Sequence, residues 1–131
     1  MTDVQVWDPA QGNLTSADVQ ILARASAGMD HPDLGLSKKE QAELLAAARK
    51  KSDTWQQLAV ESSAEDVCSW VKALTLAEGR LSGFALGPNS PVIVLIRHLK
   101  RRGVLPAELL RWVRAHTTNR FLPYGSLQDR L

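Results

Sequence analysis

The sequence predicts an all-α fold: a single compact bundle of five or six helices, ending in a helical hairpin (about 90–117) and a C-terminal segment that folds back. Three observations carry that expectation. Helix-start residues recur at Thr15, Ser37, Ser52, Ser63 and Ser90, and stop signals follow at Gly28, Gly79 and Gly103. Apolar residues fall at helical spacing, most clearly Val67, Trp70, Val71 and Leu74 at i, i+3, i+4 and i+7. Strand patterning is nearly missing: Val4-Gln5-Val6-Trp7 alternates briefly, and nothing later pairs with it.

Each element has its own signal. Residues 1–12 are expected to be extended or disordered, leaving 13–131 as one helical domain. Thr15 can cap a first helix, Asp18 suits its first turn, and Leu14 can staple to Val19. That helix should run to about Ala27 and stop at Gly28, and His31-Pro32-Asp33 with Gly35 then makes a loop. Ser37-Lys38-Lys39-Glu40 is a capping box. The helix behind it should end near Lys50 and Lys51, whose charges suit the negative end of the macrodipole.

Ser52-Asp53 starts a shorter helix with Trp55, Leu58 and Ala59 on one face, and Ser63 with Asp66 starts the next, with Gly79 as its expected stop. The stretch RLSGFALGPN, 80–89, is the longest internal loop. Ser90-Pro91 is a cap followed by proline at the first helical position, where a missing N–H costs nothing. Val92 to Ile96 is apolar without interruption, which predicts a central helix covered on several sides. The run is also short enough for a buried strand, but the Ser-Pro start, the basic Lys100-Arg101-Arg102 and Gly103 favour helix. Gly103-Val104-Leu105-Pro106 is a tight turn, and Pro106 starts a last helix with Leu109, Trp112, Val113 and His116 on one face.

Composition sets the class. The 131 residues are 44% apolar and 23% charged, ordinary values for a single soluble globular domain. No apolar run approaches the ~20 residues that span a bilayer. The acidic Met1-Thr2-Asp3-Val4 start lacks signal-peptide character, and the single Cys68 fits a reducing compartment, so a cytoplasmic protein with no membrane partner is expected.

Catalytic raw material is thin. Cys68 sits in an amphipathic helix near its buried stripe, which reads as a packed thiol and not a nucleophile. His31, His98 and His116 are not paired with other ligands at metal-binding spacing. The run from Gly83 to Ser90 leads into a helix N-terminus but lacks the Gly-Lys-Ser/Thr of a nucleotide phosphate loop. No catalytic, cofactor or metal site is expected.

Charge placement points elsewhere. Residues 1–96 hold 8 basic and 12 acidic side chains, while 97–131 hold 8 basic and 2 acidic. The leading expectation is a small non-enzymatic binding or adaptor domain with a protein partner. Its candidate face is Arg97, Lys100, Arg101, Arg111, Arg114, Arg120 and Tyr124, merged by antiparallel packing of the hairpin. The alternative is a nucleic-acid-binding module that uses the basic hairpin 90–120, a helix-turn-helix in outline. Against it, Glu108 would face phosphates at the start of the second helix.

The C-terminal Phe121, Leu122, Tyr124 and Leu127, with Pro123 and Gly125 to turn the chain, are expected to clamp onto the hairpin. The competing reading makes the same residues, with Arg120, an interface.

Overall fold

The computed structural model describes residues 14–81, 83, 84, 86–119, 121 and 122. These form six α-helices and no strand, a small helical bundle as the sequence predicts. In order they are α1 (Ser16–Ala27), α2 (Lys38–Ala48), α3 (Ser52–Val60), α4 (Ala64–Arg80), α5 (Pro91–Arg101) and α6 (Ala107–His116). A single 3₁₀ turn, Gly87–Asn89, precedes α5. Among the described residues, no helix is long and apolar enough to cross a membrane.

Local chemistry sets the helix starts. Thr15 and Asp18 form a reciprocal capping box on α1, as do Ser37 and Glu40 on α2. Ser63 accepts from Asp66 N at the start of α4, and Ser90 accepts from Val92 N at the start of α5. α3 differs: Lys51 is its N-cap, with no side-chain cap bond. At the end of α1, a Cβ on Gly28 would lie 2.2 Å from Leu34 O, so only glycine lets the 29–35 loop close this tightly. Leu34 sits at φ 59°, a strained conformation for a non-glycine residue, and its side chain is fully buried.

α4 is the hub, packing on α1, α5 and α6, while α1 also packs on α2 and α3 on α5. Its apolar stripe is buried at Val67, Trp70, Val71 and Leu74 as expected. α5, expected to be central, is deeply covered but wedged between α3 and α4. Ile93, Leu95, Ile96 and Leu99 all lie in the core. Arg101 Nη2 donates to Gln56 Oε1 at 2.6 Å and Arg102 Nη1 to Ser62 O at 3.3 Å, fastening the far end of α5 to α3.

Three sequence expectations resolve differently or more finely here. α4 runs one residue past Gly79, which lies in its last turn beside Thr118. Trp55, expected on one face of the short third helix, is fully buried, and its Nε1 donates to Ala47 O at 3.1 Å. Turn-linked α5 and α6 do not form an extensive mutual interface: α6 lies on α4, and α5 on α3 and α4. Trp7 and the extended segment 1–12 fall outside the described residues.

Folding back of the chain is visible as far as Leu122. Asn119 Nδ2 donates to Glu78 Oε1 at 2.9 Å and to Gly87 O at 2.8 Å, while its Oδ1 accepts from Phe121 N at 2.9 Å. Ser90 Oγ donates to the other Glu78 oxygen. Leu122 is buried and Phe121 half-buried against Gly87. The clamp therefore fastens to α4 and the 83–90 loop. Tyr124 and Leu127, the rest of the proposed clamp, lie outside the described residues.

Candidate functional site

The described parts of the expected basic face lie on two helices, α5 and α6, that share no extensive interface. Arg97, Lys100 and Arg101 are exposed on α5, and Arg111 and Arg114 are exposed on α6. Arg111 Nη2 lies 3.9 Å from Glu108 on its own helix. On α5, Arg97 and Arg101 line a hollow together with Ser52, Asp53 and Gln56 of α3. Arg120 and Tyr124 fall outside the described residues.

Arg97 instead joins cations that sequence reading had assigned to a helix end. A cleft of about 530 Å³ opens where α2 gives way to α3, against the start of α5. Arg49, Lys50 and Lys51 line one side and Arg97 the other, with Leu86, Pro88, Ile93 and Val94 between them. Among the described residues no carboxylate lines it. A second hollow of about 300 Å³ shares Ser52, Val94 and Arg97 with the first and continues toward Gln56 and Arg101. Asp53 is its acidic member. Together they make an elongated groove along the seam between α3 and α5. The uncapped first turn of α3, whose N–H groups carry partial positive charge, sits at its middle.

The cations of the groove differ in exposure. Lys50 Nζ lies 3.4 Å from Asp18 Oδ2 with both side chains largely covered, which ties the α2 end to α1. Arg49, Lys51 and Arg97 are exposed and form the positive walls. Lys100 is exposed on α5 but lines neither hollow. The Arg49-Lys50-Lys51 run was legible as a charge cluster. Its position opposite Arg97 follows only from α3 packing on α5.

The titratable side chains that could do chemistry are occupied structurally. Burial pushes the Cys68 thiol up, with Lys72 pulling weakly the other way, so the thiolate is disfavoured. His98 is buried, and burial together with Arg102 and Arg101 holds its imidazole below the ordinary value. The exposed His116 stacks on Trp112, ring centroids 4.1 Å apart, and its Nδ1 donates to Trp112 O at 2.8 Å. Lys72 Nζ lies 5.6 Å from the centre of the Trp112 ring. Burial raises the Glu78 carboxyl above its usual range, opposed by the hydrogen bonds from Ser90 and Asn119. Among the described residues no group of three or more His, Cys, Asp or Glu side chains is arranged to hold a metal ion.

Comparison of the chain with protein-family models, with curated proteins and with solved structures found no match.

Proposed function

We propose that this protein is a binding or adaptor domain for another protein, acting without catalysis through the groove between α3 and α5. One observation carries the reading: the groove sets exposed cations, Arg49, Lys51 and Arg97, around an apolar floor of Leu86, Ile93 and Val94. Protein interfaces combine an apolar centre with a charged rim, and arginine is among the side chains that concentrate binding energy there. The nucleic-acid alternative has less support. Its hairpin would need the α5 and α6 cations on one surface, and those two helices share no extensive interface. A reducing compartment, the cytoplasm, belongs to the same proposal on the strength of the single Cys68.

The test is capture of partners from a lysate of the source cells by the tagged protein, with and without nuclease. Arg97→Glu serves as the matched bait. A protein partner retained after nuclease and lost with Arg97→Glu is the expected result. Loss of every partner on nuclease treatment overturns the proposal in favour of nucleic acid. Equal recovery by both baits moves the interaction away from the groove.

A further inference from the structure

We infer that the groove between α3 and α5 receives an extended acidic peptide segment, with carboxylates on either side of an apolar side chain. The inference rests on the protein-partner reading above and names what that partner presents.

Shape comes first. The two hollows share Ser52, Val94 and Arg97, so the surface is elongated and not a closed pocket for one small ion. Charge comes second. Arg49 and Lys51 stand at one end, Arg97 in the middle and Arg101 at the other end. Spaced cations complement spaced carboxylates, and arginine offers them paired N–H donors. The N-terminal end of α3 adds a favourable field for negative charge. The floor comes third. Ile93 and Val94 give an apolar side chain a place between the charges. Recognition of acidic motifs by arginine clusters is a recurring mode of peptide binding.

The same surface suits a nucleic-acid strand poorly. Among the described residues no aromatic side chain lines either hollow, so unpaired bases find no stacking platform there. Asp53, at the lip of the second hollow, would oppose a continuous phosphate backbone. A peptide can leave a polar residue opposite Asp53; a phosphodiester chain repeats its charge at every step.

The experiment uses the full chain and three fluorescein-labelled probes in anisotropy titrations at low salt. The first is an eight-residue peptide, Asp-Glu-Leu-Asp-Glu-Leu-Asp-Glu. The second replaces both leucines with glycine, and the third is a twelve-nucleotide oligothymidylate. The expected result is saturable binding of the leucine peptide, at least fivefold weaker binding of the glycine peptide and weaker binding still of the oligonucleotide. Arg97→Glu should weaken the leucine peptide at least tenfold. Lys39→Glu, the same charge change in the exposed first turn of α2, should alter it by less than twofold. Circular dichroism confirms that both variants fold.

Equal weakening by the two variants overturns the inference, because net charge and not the groove would then explain binding. So does tighter binding of the oligonucleotide, or failure of the peptide to bind. If the peptide fails while a nuclease-resistant protein partner still depends on Arg97, the occupant is wrong and the protein-partner proposal stands. If no such partner exists, that proposal itself has failed.

Discussion

Asn119 should hold the end of the described chain onto the bundle, and its removal has a calculable cost. Asn119→Ala deletes one hydrogen bond to a carboxylate, Glu78 Oε1 at 2.9 Å, and two neutral ones, to Gly87 O and from Phe121 N. A bond to a charged group contributes about 1.5–3 kcal/mol and a neutral one about 0.5–1.5 kcal/mol. Asn119 is half-buried, so water replaces part of what is lost and the low ends of these ranges apply. Together they give about 2.5 kcal/mol. With an unfolding entropy of about 2.1 cal/mol/K per residue, a chain of this length should lose about 9 °C in Tm.

Asn119→Asp sharpens the test. It sets a second carboxylate against Glu78 and the Gly87 carbonyl, and should cost more than alanine at pH 7. The excess should shrink on acidification, or when combined with Glu78→Gln. Thermal and urea unfolding of the three single variants and the double variant decide the matter. A loss below about 0.5 kcal/mol for Asn119→Ala, or an Asn119→Asp protein more stable than Asn119→Ala at neutral pH, would refute the assigned donor and acceptor roles.

Three further outcomes are expected. Ile96→Asp places an unpaired charge at a fully buried position of α5 and should prevent folding; cooperative unfolding near the native Tm would show that the core is misassigned. Gly28→Ala drives a Cβ to 2.2 Å from a backbone oxygen and should cost about 1–3 kcal/mol by urea denaturation, with no change as the contrary result. His98 is held below its ordinary pKa in the fold, so the unfolded chain binds the proton more tightly. Its contribution is present above about pH 6.5 and is lost as pH falls through that value toward the folded one. The urea midpoint should therefore drop between pH 7.5 and 5.5, and by less in His98→Gln. Glu78, with its raised value, has the opposite sign: its share of stability declines as pH rises from the ordinary carboxylate range through the folded value.

Local features were legible in the sequence because their causes are local. The capping boxes at Thr15 and Ser37, the Ser90-Pro91 start and the α4 stripe all appear where spacing and side-chain chemistry require them. Long-range features were not. Gly79 reads as a helix stop, yet α4 continues through it to Arg80, and Thr118 packs beside it from 39 positions away. The adjacency of α5 and α6 along the chain suggested that they share a surface, but α6 packs on α4 and α5 on α3 and α4. Arg49-Lys50-Lys51 looked complete as the basic end of α2. Only the docking of α3 on α5 turns that run toward Arg97. Arg97 and Arg101 of the proposed groove stood in the expected basic face, while Arg49 and Lys51 were hidden behind a sufficient local explanation.

Ile93 belongs at once to the core, where it is 4% exposed, and to the floor of the cleft. Related sequences therefore cannot vary this part of the floor without also varying what holds α5 in place. A larger or smaller side chain at 93 would change the shape of the cleft and the folding stability in a single step. The walls differ: Arg49, Lys51 and Arg97 are exposed, so changes in their charge or length do not alter the packing of the buried core. Divergence in what the cleft accepts should accordingly be written at 49, 51 and 97, over a floor that drifts only as slowly as the core.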